Sequence, residues 1–143
     1  MIDHISPDLY GILIDRVPIV CVDVIVRNKK GEYLLVQRNN EPLKGEWWVV
    51  GGRLLRGETL ADGARRKCLE EAGIKVDELN LEGAYEEVFT KCPWNESGIH
   101  TVSFVYSASI RSGHIRLDNQ SSDWKYCRNL PSRFVKYLKQ FRV

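Results

Sequence analysis

Apolar and polar positions alternate through much of the chain, and most of the runs they form are strand-like. Val17 to Arg27 is rich in β-branched residues. The turn Asn28-Lys29-Lys30-Gly31 leads from it into Glu32 to Arg38, a hairpin pattern. Asn39 to Glu46, with Pro42 and Gly45, reads as a loop, and Trp47-Trp48-Val49-Val50 as a short strand ending at a glycine pair. Further on, Leu81 to Thr90 alternates as a strand, and Lys91 to Gly98 breaks the pattern with Pro93 and Gly98. Ile99 to Ile110 is a long strand that turns at Arg111-Ser112-Gly113 into His114 to Leu117, and Trp124 to Cys127 is a short one. Helical spacing appears at three places. Ser6-Pro7 predicts a helix to about Asp15, with serine as N-cap and proline in the first position. Pro131 opens a final helix with Phe134, Tyr137, Leu138 and Phe141 on one packing side.

The third helix lies mid-chain, from Thr59 to Gly73. At about 100° per residue, Arg66, Lys67, Glu70 and Glu71 share one side, and Ala61, Ala64, Cys68 and Ala72 form a small-residue stripe roughly opposite. Gly73 closes it, since glycine takes a left-handed cap without a Cβ penalty. By charge pattern alone its polar side is a solvated face with i,i+4 pairs. Adjacent carboxylates facing a glycine turn are also a seat for a hard divalent cation. Strands outnumber helices and flank the central one, an order that predicts an α+β layered fold.

Composition narrows the class. A chain of 143 residues predicts one domain, residues 1–143. Hydrophobic content of 43% and charged content of 28% are ordinary for a soluble protein, and a net charge of +2 gives no general case for nucleic acid. Cys21, Cys68, Cys92 and Cys127 lie far apart without a C-x2-C pair, which argues for buried free thiols in a reducing compartment over a zinc site. Asp3, Asp8 and Asp15 interrupt any signal-peptide pattern, and the apolar run Val17 to Val26 is short and broken by Asp23. The expectation is a cytoplasmic protein that does not engage membranes.

Five arginines crowd the glycine turn: Arg38, Arg53, Arg56, Arg65 and Arg66. Arginine suits phosphate because its planar fork donates in pairs and stays charged. Arg56 reads as a solvated side chain, and Arg65 points nearer the packing side of the helix. Arg66 is one turn from Glu70, in reach of an i,i+4 pair. Arg38 ends a strand and Arg53 follows the glycines, so both reach a diphosphate if the sheet edge forms a cleft. Glu58 either orients the basic turn or caps the helix N-terminus.

The spacing of these residues resembles the Nudix box, G-x5-E-x7-R-E-U-x-E-E-x-G-U with U aliphatic. Gly52, Glu58, Arg66, Glu70, Glu71, Gly73 and Ile74 occupy its fixed positions and Cys68 its first U, while Lys67 stands where the box has glutamate. The resemblance implies an α/β/α sandwich around a mixed sheet, and a magnesium ion (manganese as a substitute) held by Glu70, Glu71 and the carbonyl of Gly51. Lys67 removes a carboxylate and adds positive charge beside that position. A site that needs several ions to cleave a phosphorus–oxygen bond suffers from this; one that needs a single ion on a departing diphosphate does not.

A more specific resemblance covers most of the chain. The pattern R-x-N-x-P-x-x-G-x-W-x-V-x-G-G-R from Arg38 to Arg53, preceded by a helix and a strand, looks like the GDP-mannose mannosyl hydrolases, a Nudix branch that also lacks this glutamate. Those enzymes displace GDP by water attack at the sugar carbon. Carried over by position, Gly51, Glu71 and Gln120 hold the metal. Asp23, Arg38 and Arg53 serve the substrate and the leaving group, and Arg66 supports Glu71. Two departures stand out. Ser121 occupies the branch's histidine base, and a serine hydroxyl does not take a proton from water at neutral pH. Thr101 stands in the neighbourhood of His100 where the branch has a tyrosine. Asp123 and Glu70 are the substitute bases; His100 and His114 qualify only by residue type.

Three functions follow: a nucleotide-sugar hydrolase cutting at carbon, a Nudix pyrophosphohydrolase cutting at phosphorus in ADP-ribose or a nucleotide sugar, and a degenerate domain that only binds nucleotide. The outward one of Trp47 and Trp48 stacks on a ligand or covers a contact in a homodimer, two roles the sequence leaves open.

Overall fold

The computed structural model describes residues 4–139. The chain runs α1 (Pro7–Arg16), β1 (Ile19–Arg27), β2 (Tyr33–Arg38), β3 (Trp47–Trp48), β4 (Val50–Arg53), α2 (Leu60–Ala72), β5 (Lys75–Phe89), β6 (Ile99–Ser112), β7 (Ser121–Cys127) and α3 (Ser132–Lys139). Seven strands form one mixed sheet in the order β3-β2-β1-β6-β5, with β4 pairing β1 and β7 pairing β2. β1 and β6 run parallel, and every other pairing is antiparallel.

Strand alternation sends side chains to two layers. Val24 and Val26 of β1, Leu34 of β2 and Tyr106 and Ala108 of β6 pack with Ala64, Cys68 and Ala72, the small stripe of α2. On the other face Ile25, Leu35, Trp48, Tyr85 and Val105 surround Phe134 of α3. The result is the expected α+β architecture, an α/β/α sandwich around a mixed sheet. Among the described residues no helix is long and apolar enough to cross a membrane.

The helix ends follow their local chemistry. Ser6 Oγ accepts the Leu9 N–H at 3.4 Å, and Thr59 Oγ1 accepts the Asp62 N–H at 3.1 Å. Gly73 sits at φ 69°, and the N–H groups of Gly73 and Ile74 return to the carbonyls of Leu69 and Cys68.

Several boundaries differ from expectation. The glycine pair does not end a strand. It forms the middle of β4, which leaves β3 after Val49 to pair with β1. β1 and β2 meet only at Arg27 and Tyr33, because β4 and β6 occupy the flanks of β1. His114 to Leu117 is not a strand. Its Arg116 N–H satisfies the carbonyl of Ala72 at the end of α2, at 2.9 Å. β5 starts at Lys75 and β7 at Ser121, each earlier than the alternation indicated, since pairing with β6 and β2 extends them. Only Cys68 of the four thiols is buried; the other three are half-buried. Phe141 lies outside the described residues.

Candidate functional site

A cleft of about 430 Å³ opens at the end of the sheet where β1, β4 and α2 meet. Its lining includes Asp23, Arg38, Gly51, Arg53, Arg66, Lys67, Glu70, Glu71, Gln120 and Ser121. Asp123, His100 and His114 do not line it. Asp123 is exposed on β7 opposite Gln37 and accepts the N–H of Trp124, and His100 pairs with Glu86 on the surface.

α2 places the acidic and basic groups. Glu71 is 6% exposed; its Oε2 accepts the Gly51 N–H at 3.2 Å and its Oε1 lies 2.9 Å from Lys67 Nζ. The helix therefore does not offer all its charges to water. Burial raises the pKa of Glu71, opposed by the Lys67 charge beside it. Glu70 is exposed, and its Oε2 takes an N–H from Arg66 at 3.0 Å.

Arg66 does not touch Glu71 through any of its hydrogen bonds. It grips Glu58 through two nitrogens, at 2.7 and 3.0 Å, and donates to the carbonyl of Arg53 at 2.9 Å. Glu58 Oε1 also takes the Leu55 N–H at 2.8 Å, so this carboxylate shapes the basic turn, and Thr59 is the cap. Arg65 is not turned toward the packing side: it is exposed and pairs with Asp62. Arg56 is exposed as well.

The glycine pair clears space on both faces of β4. A Cβ on Gly51 would strike Asp23 Oδ1 and come within 2.5 Å of the Val22 carbonyl. A Cβ on Gly52 would stand 2.6 Å from Lys67 Cε. Arg53, next along, carries its guanidinium 5.9 Å over the Tyr10 ring. Arg38 is aimed by its Nε, which donates to the Pro42 carbonyl at 2.9 Å. Gln120 receives an N–H from Asn40 at 3.1 Å, which ties the two loops at the mouth.

Asp23 is buried and accepts a hydrogen bond from the Tyr85 hydroxyl. Burial pushes its pKa up to about 7; the charges of Glu71 and Glu87 add to this, and the Tyr85 bond opposes it. No motif in the sequence marks Tyr85. Its signal was present, since the alternation of 81–90 puts residue 85 on the inward face opposite Ser103. Tyr10, Phe89 and Trp94 also line the cleft, with Tyr10 and Trp94 edge to face at 4.9 Å. Spacing could not reveal that wall, because it joins α1 to the loop after β5.

Among the described residues no three His, Cys, Asp or Glu side chains gather closely enough to cage a metal. The donor set still fits one hard cation of the kind that shares its shell with phosphate oxygens, which needs only one or two carboxylates from the protein. Glu71 and Glu70, which line the cleft beside the backbone of Gly51, would supply them.

The NUDIX domain family model matches residues 17–129. The chain is 32% identical over 125 residues to the low-salt glycan biosynthesis protein Agl8 of Haloferax volcanii, covering 85% of this chain and 78% of that one. It is 28% identical over 116 residues to an ADP-ribose pyrophosphatase of Methanocaldococcus jannaschii, covering 80% of this chain and 65% of that one. In fold it resembles the MutT NUDIX hydrolase of Burkholderia pseudomallei, with a TM-score of 0.74 at 22% identity over 87% of this chain and 98% of that one. A box motif on α2, a matching mixed sheet and a family match across most of the length make the chain a member of the NUDIX hydrolase family.

Proposed function

We propose that the chain is a magnesium-dependent hydrolase of a nucleoside diphosphate sugar, GDP-mannose in the first place, in which water attacks the sugar C1 and GDP departs. The observation that carries this reading is the Lys67–Glu71 ion pair: the box position that would add a third carboxylate instead adds a cation, which suits one metal ion on a leaving diphosphate. The glycan-biosynthesis name of the Haloferax relative adds support for a sugar nucleotide.

A magnesium ion (or manganese) held by Glu70, Glu71, the Gly51 carbonyl and Gln120 would neutralise charge developing on the diphosphate. Arg38 and Arg53 bind the same diphosphate from the β2 and β4 sides, and such preorganised charge is a large catalytic term. Arg66 acts by positioning Glu70 and the Arg53 backbone. Asp23, poised near neutrality by burial, exchanges hydrogen bonds with a sugar hydroxyl. Of the two candidate bases Glu70 lines the cleft and would activate the water when its free oxygen is not bound to the ion; Asp123 would have to be brought in from outside the cleft lining. The reaction takes place in the cytoplasm, on a small molecule, with no role for nucleic acid or membranes; a homodimer is compatible with the exposed apolar side chains of α1, Leu9 and Ile12.

Cleavage at phosphorus is the second reading, favoured by the likeness to an ADP-ribose pyrophosphatase. Turnover of GDP-mannose in heavy-oxygen water separates the two. GDP and a labelled sugar support carbon attack, whereas a labelled phosphate product establishes the second reading. Magnesium-dependent turnover that is lost in a folded Glu71→Gln variant excludes a domain that only binds nucleotide.

A further inference from the structure

Lys67 is where the chain departs from the box in charge, and its surroundings show how the departure is built in. The side chain is 12% exposed and runs along the bare backbone of Gly52, where an added Cβ would stand 2.6 Å from Cε and 3.0 Å from Nζ. At the end of that stem the ammonium lies 2.9 Å from Glu71 Oε1 and 3.8 Å from Glu70 Oε2. The second oxygen of Glu71 is held by the Gly51 N–H. A solvated lysine would gain little from such a pair. This one lies in a slot that the neighbouring glycine leaves open for it.

We infer that Lys67 is a tethered cation that takes the place of a divalent ion at Glu71 in the nucleotide-free protein, so that ammonium and metal compete for one carboxylate. The inference rests on the reading of Glu70 and Glu71 as metal ligands. Both cations need Glu71 Oε1, and like charges a few ångströms apart in a half-buried site repel strongly. Lysine carries its charge on a flexible stem with rotatable donors. A diphosphate in the cleft beside Arg38 and Arg53 gives the ammonium a second anionic partner and frees Glu71 for the ion. Metal and diphosphate therefore bind with positive coupling, and by linkage each raises the affinity of the other.

Manganese binding to the nucleotide-free protein, followed by the loss of the free-ion electron paramagnetic resonance signal, tests this. Lys67→Met keeps the stem in its slot and removes the charge; its manganese affinity is expected to rise about tenfold or more over wild type, and that of Lys67→Glu to rise further. The melting-temperature gain from manganese rises in parallel. Unchanged affinity in folded variants, with wild type binding the ion, overturns the inference and leaves the metal reading standing. Absence of manganese binding in every protein, with and without GDP, overturns both. The wild type supplies a check that no variant's folding affects: the Lys67 ammonium resonance is expected to shift as magnesium saturates the protein, and an unmoved resonance overturns the competition.

Discussion

Arg66 reaches back eight residues to hold Glu58, with Nη2 at 2.7 Å from Oε1 and Nε at 3.0 Å from Oε2. The pair clamps the start of α2 to the basic turn, since Glu58 also takes the Leu55 N–H and Arg66 the Arg53 carbonyl. Glu58→Gln keeps the shape and removes the charge. The expected cost is about 1.5–3 kcal/mol, the range for hydrogen bonds to charged partners, read from chemical denaturation. On the proposed reading of Glu70 as a metal ligand, turnover should fall about tenfold or more, the range for residues that orient such ligands.

Asp23 gives the fold a pH dependence of defined sign. Its carboxyl titrates at about 7 in the folded chain against 3.8 when unperturbed. Between those values the folded state retains a proton that the unfolded state has lost, so stability falls as pH rises and stays lower above about 7. Burial of Glu71 acts in the same direction. Asp23→Asn removes the Asp23 contribution, worth a few kcal/mol at most. Denaturation midpoints from about pH 5 to 8 should decline in wild type and flatten in the variant; equal slopes would contradict the assignment.

The two glycines of β4 should differ in their tolerance of alanine. At Gly51 the new methyl meets the Asp23 carboxylate and a backbone carbonyl that cannot yield, at a cost of about 3 kcal/mol or more. At Gly52 it meets the far end of the Lys67 side chain, which can swing aside, so the cost is nearer to about 1 kcal/mol. Denaturation of the two variants under one condition checks the order.

Phe134 anchors α3. It is fully buried, edge to face with Trp48 at 5.1 Å and with Tyr85 at 5.9 Å. Phe134→Ala should lose about 3–5 kcal/mol. Because Tyr85 holds Asp23, the same variant should also alter the pH profile of stability, which a simple cavity elsewhere in the core would leave alone.

The sequence made the strands, the capped central helix and the charged end of the cleft legible, because each rests on neighbours within a few turns or on a fixed spacing. Thr59, Gly73 and the stripe from Ala61 to Ala72 are of that kind. What stayed hidden depended on distant pairing. Tyr85 meets Asp23 across 62 residues, and the His114 to Leu117 segment gives up strand structure to satisfy the end of α2. Asp123 follows Ser121 by two residues on β7, but the pairing with Gln37 and Arg38 slips by a bulge between them, which breaks the alternation and leaves Asp123 exposed and outside the cleft lining.

The parallel pairing of β1 with β6 has a consequence for how the protein comes into being. Ile19 lies beside Thr101 and Arg27 beside Ser109, so the strand bearing Asp23 gains this neighbour only after some eighty more residues have been synthesised. Such distant closure is slow compared with local hairpins and helices. On the ribosome, a chain halted after α2 would carry every acidic and basic group of the box yet lack the scaffold that aligns them, and its bare strand edges would invite association.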